Sequence, residues 1–255
     1  MRARVEDVNA LEVWHLSYRY ADGTQALRDV SFSIAEGERV GILGPNGAGK
    51  STLLWHLNGL LPEHPPKTPA VWVFGVPVVE PHLPAIRAQV GLLFEDPDDQ
   101  LFCPTVEEDV AFGPRQLGKP EAALAAWVRE ALGRVGLVGF ENRHPSRLSQ
   151  GEKRRVCLAG LLACDARILA LDEPSSGLDP RGRRELVALL QGLPVTQVIA
   201  THDLELAVAV CPRVIVLDGG MVVAQGPTAQ VLDDEDLMLA HGLERPHILR
   251  HRHPH

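Results

Sequence analysis

The chain has 255 residues, 45% of them hydrophobic, and 25 Lys and Arg against 33 Asp and Glu give it a formal charge of −8. That length and apolar content suffice for a real core and exclude disorder of the whole chain. The acidic balance offers no electrostatic footprint for nucleic acid.

Cys103, Cys157, Cys164 and Cys211 form no CxxC pair. They are expected as free thiols in a reducing, cytosolic setting rather than as disulfides or zinc ligands. The start, Met-Arg-Ala-Arg-Val-Glu-Asp, has no apolar signal-peptide core behind it, so no export is expected. The longest uncharged apolar run, near residues 68–79, is broken by Pro69, Gly75 and Pro77. A span needs roughly 20 apolar residues, so any link to a membrane is expected to run through a partner.

Residues 12–34 mix β-branched and aromatic side chains around Ala21-Asp22-Gly23, which predicts two strands joined by a hairpin. Residues 39–43 follow as a short apolar strand, then a Gly-rich loop and a helix over 50–59. The Pro-rich segment 61–84 reads as loop with one or two short strands near 70–74. Residues 90–94 look like a core strand. From 105 to 164 the pattern turns helical, most clearly at 121–135 and 150–163. Short apolar strands at 168–171, 197–200 and 214–217 then alternate with helical patterns at 181–190 and 203–210. Strands alternating with helices predict a parallel α/β sheet.

Gly44-Pro45-Asn46-Gly47-Ala48-Gly49-Lys50-Ser51 fits the phosphate-binding loop G-x-x-x-x-G-K-[ST], between a strand and a helix that Thr52 continues. Its glycines let backbone N–H groups turn onto phosphates, where the helix N-terminus adds partial positive charge. Lys50 brings a full charge to the β and γ phosphates, and Ser51 a hydroxyl for Mg2+. Asp172 and Glu173 end an apolar strand, and the carboxyl edge of an open α/β sheet is where ligands sit. Asp172 is expected to hold Mg2+ and Glu173 to reach the water that attacks the γ-phosphate.

Those two elements occur in kinases, GTPases and many motors and do not fix a class. Leu148-Ser149-Gln150-Gly151-Glu152 does, because it opens a helix between them and is similar to the signature Leu-Ser-Gly-Gly-Gln of ABC ATPases. The chain resembles that family over residues 8–228. The resemblance implies a P-loop NTPase (RecA-like) core with an antiparallel β subdomain and a helical signature subdomain at about 100–164. Residues 229–255 would form a C-terminal helical extension and a His-rich tail.

The resemblance also implies that Ser149 and Gly151 grip the γ-phosphate of ATP held by a second, head-to-tail ATPase subunit, identical or paralogous. Tyr20 would stack on adenine, the segment from Ser176 to Asp179 would couple the two sites, and His202 would contact the γ-phosphate and orient the attacking water. Two departures stand out. Glu95 replaces the usual Gln near Mg2+, and the signature carries Gln150 for Gly and Glu152 for Gln.

The stretch 95–114, with Pro97-Asp98-Asp99-Gln100-Leu101-Phe102, is similar to ATPases of energy-coupling-factor transporters, particularly the cobalt and nickel branch (CbiO type). In that family it meets coupling helices of a transmembrane protein. Leu101 and Phe102 beside acids suit a short amphipathic element for such docking. This reading expects a membrane importer for a metal ion or vitamin, peripheral on the cytoplasmic face of the membrane. Its expected partners are a transmembrane coupling protein and a substrate-binding membrane subunit, with no nucleic acid.

A soluble ABC ATPase acting on DNA or ribosomes is the rival, against which stand the acidic charge and the lack of long heptads. The ATPase of another ABC transporter type is a further alternative. A non-hydrolytic nucleotide switch fits poorly with Glu173 and His202 both present. His247, His251, His253 and His255 read as a solvated tail rather than a metal site.

Overall fold

The computed structural model describes residues 9–64, 68–244 and 246. The four tail histidines lie outside the described residues.

β1 (Asn9–Arg19) and β2 (Gln25–Ala35) pair antiparallel, closed by a turn in which Asp22 accepts a hydrogen bond from the Thr24 amide at 2.8 Å. β4 (Val71–Val73) joins the open side of β1, and β5 (Val76–Pro77) closes a four-stranded sheet in the order β2-β1-β4-β5.

The second sheet has six strands. β3 (Arg39–Leu43), β6 (Val90–Leu93), β7 (Ile168–Asp172), β8 (Thr196–Thr201) and β9 (Arg213–Asp218) run parallel, and β10 (Met221–Pro227) pairs antiparallel at the edge. The order is β10-β9-β3-β8-β7-β6.

Period-two alternation decides which layer each side chain joins. Val40, Ile42, Ile168, Ala170, Val198, Ala200, Ile215 and Leu217 pack with β1, β2 and α1 (Lys50–Leu57). Leu43, Leu169, Leu171, Ile199, Val214 and Val216 face the opposite layer, which holds α5 (Gln150–Ala163), α6 (Pro180–Gly192) and α7 (Leu204–Val210). Both faces are covered, as a parallel sheet requires.

α3 (Val106–Gln116), α4 (Glu121–Arg134) and α5 pack on one another as a helical group between β6 and β7 in sequence. Reciprocal side-chain caps start two of these helices, Thr105 with Glu108 on α3 and Ser149 with Glu152 on α5. α2 (Leu83–Gln89) leads into β6, and α8 (Thr228–Asp233) and α9 (Glu235–Ala240) follow β10.

The alternating α/β reading holds, with two differences. α2 begins inside the segment expected as loop, because Pro84 is tolerated in a first helical turn. β10 escaped notice because an edge strand that is half exposed and ends Gly226-Pro227 has no buried period. A short turn spans Pro97–Asp99, after which Leu101 packs inward and Phe102 stays exposed, meeting Phe112 edge-on at 4.9 Å. Among the described residues, no helix is long and apolar enough to cross a membrane.

Candidate functional site

β6, β7, β8 and β3 are parallel neighbours, so their carboxyl ends share one edge of the sheet. Four expected site elements therefore converge there, although the chain separates them widely. The loop of residues 44–49 leaves β3, Glu95 follows β6, Asp172 and Glu173 end β7, and His202 follows β8.

The loop curls around the N-terminus of α1. Gly49 is the residue before that helix and has φ +99°, and a Cβ built on it would lie 2.5 Å from the Ala26 carbonyl oxygen. Only glycine fits there. Lys50 is buried, and its Nζ donates to the carbonyls of Gly44 at 2.8 Å and Pro45 at 3.2 Å while lying 3.7 Å from Glu173 Oε1.

Glu173 sits at φ +42°, a conformation that costs a non-glycine residue about 1–3 kcal/mol and recurs at functional positions. Its amide donates to the Ala200 carbonyl at 2.8 Å. Its carboxylate accepts from Thr201 Oγ1 at 2.9 Å and from the His202 amide at 3.0 Å, and His202 Nδ1 lies 2.9 Å from Oε1. The acid is buried, whereas the His202 ring is largely exposed and free to meet a ligand.

Asp172 is also buried. Burial pushes its carboxyl up to about 6, with the Glu173 and Glu95 carboxylates adding to the rise and the Ser51 hydrogen bond and Lys50 charge opposing it. Its Oδ1 has no hydrogen-bond partner. An orphaned buried carboxylate oxygen beside a serine hydroxyl fits a hard cation. Among the described residues, no group of three or more His, Cys, Asp or Glu could hold a metal alone. Mg2+ does not need one, since it takes one or two protein oxygens together with substrate phosphates.

Tyr20, Asn46, Gly47, Ala48, Gly49, Lys50, Ser51, Thr52, Glu95, Glu173 and His202 line one cleft of about 470 Å³. The Tyr20 hydroxyl is 2.9 Å from Thr52 Oγ1, and its ring meets Tyr18 edge-on at 4.9 Å. Ser51 and Glu95 also border an adjoining cleft of about 610 Å³ that reaches Asp172, Gln150 and Arg154.

Ser149 and Gly151 are not brought to the phosphate loop of their own chain. They line a separate cleft of about 660 Å³ with Gly177, Leu178 and Asp179. Ser149 caps α5, and Glu152 returns the bond by accepting from the Ser149 amide at 2.8 Å and its hydroxyl at 2.9 Å. The same amide bond holds the Glu152 carboxyl below its ordinary range.

All four cysteines are free, and burial pushes Cys157 and Cys211 up to about 12, which makes them inert.

Three connections were missed by sequence reasoning. Thr201 holds Glu173. Ser175 donates to Asp203 at 3.0 Å, and Asp203 is paired with Arg183 of α6 at 2.5 Å. Arg154 of α5 reaches two loops at once. The hydroxyl of Thr201 could have been suspected from its place beside His202, but the other two join positions whose proximity only the fold creates.

The profile of the family described as ABC transporter matches residues 27–176. The chain is 52% identical to a putative ABC transporter ATP-binding protein of Streptomyces coelicolor over 245 residues, 96% of this chain and 93% of the relative. It is 45% identical to the energy-coupling factor transporter ATP-binding protein EcfA of Methanothermobacter thermautotrophicus, over 92% of this chain and 76% of that one. Among solved structures, it resembles cbiO1 from Clostridium perfringens, described as part of the ABC transporter complex cbiONQ. There the TM-score is 0.79 at 36% identity, covering 95% of this chain and 98% of that one. A dimeric ATP-binding cassette in a post-hydrolysis state bound to ADP and Pi gives a TM-score of 0.75 at 27% identity, covering 86% and 98%. The fold, the converging loops and these likenesses agree: the chain belongs to the ABC transporter family, as an ATP-hydrolysing, ATP-binding subunit of the energy-coupling-factor type.

Proposed function

We propose that this subunit powers a membrane importer whose cargo is a metal ion, cobalt or nickel, or a vitamin. The likeness to EcfA and cbiO1 supports the importer reading, and the observation that carries the hydrolytic step is the position of Glu173, 3.7 Å from Lys50 Nζ and 2.9 Å from His202 Nδ1. Those are the positions a general base needs to reach water beside a γ-phosphate.

Tyr20 packs on adenine. The backbone N–H groups of Gly44 and of residues 46–52, with Pro45 shaping the turn between them, and the Lys50 ammonium cradle the phosphates, Lys50 leaving the carbonyls it now satisfies. Ser51 and Asp172, with Glu95 alongside, would hold Mg2+, which when bound neutralises charge on the β and γ phosphates. Glu173 takes the proton of the attacking water, and His202 orients that water.

Ser149 and Gly151 present a hydroxyl and helix N-terminal amides to the γ-phosphate of a second ATPase subunit, identical or paralogous, placed head to tail. Their separation from the phosphate loop of their own chain supports action in trans. ATP then acts as interfacial glue that binds the closed dimer better than the open one, and hydrolysis reopens it. The stretch 95–114, with Phe102 and Phe112 exposed, receives a transmembrane coupling protein, while a substrate-binding membrane subunit selects the cargo. The subunit would thus lie peripherally at the cytoplasmic face of the membrane.

Affinity purification of the tagged chain from detergent-solubilised cells tests this reading. Co-purification with polytopic membrane proteins is expected. Recovery with nucleic acid or ribosomes, and with no membrane protein, would favour the rival.

A further inference from the structure

Arg154 is 3% exposed, yet among the described residues no carboxylate lies within ion-pair distance of it, and the Glu95, Asp96 and Glu173 charges only partly offset its burial. One terminal nitrogen donates to the Ser176 carbonyl and the other to the Glu95 carbonyl at 2.6 Å, while Nε is buried without a partner. Burial pulls the guanidinium below its ordinary range. As packing alone this is a poor arrangement, because an apolar residue of the same length would avoid the desolvation cost. What the guanidinium supplies instead is a planar fork whose two ends reach two different loops.

Those loops belong to the site already described. Glu95 follows β6 beside Asp172, and Ser176 lies three residues after Glu173, with its amide bonded to the Glu173 carbonyl at 3.0 Å. Arg154 itself rides on α5, about 8 Å along the axis from the cap residue Ser149. The preceding residue reinforces one branch, since Lys153 Nζ donates to both oxygens of Asp98 at 2.6 and 2.9 Å. Helix, Glu95 loop and Ser176 turn are therefore fastened at one point.

We infer that Arg154 is a positioning residue that makes the helix carrying Ser149, the Glu95 loop and the turn after Glu173 move as one unit. The inference rests on the proposed function. When Ser149 engages the partner's nucleotide, α5 shifts, and the shift is passed to Glu95 and Glu173 of its own chain through backbone carbonyls. Hydrolysis at one site is thereby tied to closure at the other. The segment from Ser176 to Asp179 cannot transmit alone, because only Arg154 joins it to the Glu95 loop among the hydrogen bonds of the described residues.

The test uses the full chain with Arg154→Met, which keeps length and apolar bulk, and Arg154→Lys, which keeps charge but reaches one carbonyl. In Arg154→Met, amide hydrogen exchange is expected to rise about tenfold or more in both 94–99 and 174–179. ATP affinity of the monomer and KM should stay within about threefold, kcat should fall about tenfold or more, and the Hill coefficient for ATP should drop towards 1. Arg154→Lys should recover part of kcat at unchanged KM. A role confined to folding would instead lower stability and ATP affinity together with kcat, with no such split.

Unchanged exchange in the two loops, or a kcat within about twofold of wild type, overturns the proposal. Should Arg154→Met fail to fold, Arg154→Lys decides, and a folded lysine variant with wild-type kcat and Hill coefficient overturns it. Absence of phosphate release from the wild type would contradict the ATPase cycle instead, and the exchange measurement would then judge Arg154 independently.

Discussion

Nδ1 of His202 lies 2.9 Å from Oε1 of Glu173, across the gap between β8 and β7. The imidazole also remains largely open to solvent. A buried acid and an exposed imidazole in contact form a bridge between the sheet edge and whatever lies in the cleft. Under the proposed cycle, a water held by the imidazole would lie beside a carboxylate that Thr201 already orients.

Glu95 stands where the family usually carries Gln and adds a third carboxylate to the field around Asp172. Glu95→Gln removes repulsion toward the phosphates while leaving the backbone carbonyl that binds Arg154 in place. ATPase activity is expected to be kept or raised, with a lower Mg2+ requirement. A loss greater than about tenfold in steady-state phosphate release would show that the carboxylate itself is used.

Asp172 sets a pH dependence of stability with a definite sign. Its folded carboxyl keeps a proton up to about 6, whereas the ordinary value is 3.8, so the unfolded chain releases that proton first. Folding is unpenalised below the ordinary value and loses up to about 3 kcal/mol as pH rises through 6. Asp172→Asn should remove this slope and raise the denaturation midpoint at pH 7, while lowering phosphate release about a hundredfold or more. Denaturant titrations at pH 4.5 and pH 7 check it, and a midpoint that falls equally at both would contradict it.

Gly49 and Gly47 share a positive φ but not their surroundings. A methyl group on Gly49 meets the Ala26 carbonyl, whereas nothing lies within 4 Å of a Cβ on Gly47. Gly49→Ala is expected to cost about 3 kcal/mol or more, and Gly47→Ala about 1 kcal/mol. Equal midpoint shifts for the two in chemical denaturation would show that the contact with β2 is not rigid.

Tyr20 offers its ring to the cleft and its hydroxyl to Thr52. Tyr20→Phe should leave ATP affinity within about twofold, and Tyr20→Ala should weaken it about tenfold. Fluorescent nucleotide binding distinguishes them. A strong effect of the phenylalanine variant would assign the role to the hydroxyl.

How much of this was legible in the sequence follows from the range of each signal. The loop around Lys50 is contiguous, and its strand and helix flanks carry their own patterns, so site and context are read together. Asp172 and Glu173 end an apolar strand and are legible for the same reason. The cap formed by Ser149 and Glu152 is visible as a serine followed three residues later by a glutamate.

Arg154 was not legible, because a helical pattern over 150–163 does not tell which of three successive basic residues turns inward. In the fold Lys153 and Arg154 are buried, and Arg155 pairs with Glu185 at 3.0 Å. Nor could periodicity place β10, whose pairing with β9 is a long-range choice that compensates for its weak pattern.

The most direct test is steady-state phosphate release by wild type and Glu173→Gln, with sizing of both in MgATP. The account predicts that wild type hydrolyses ATP, whereas the variant releases phosphate about a hundredfold or more slowly and stays a dimer loaded with ATP. A Glu173→Gln variant that hydrolyses ATP at the wild-type rate, or one that remains monomeric in MgATP beside an active wild type, would contradict it.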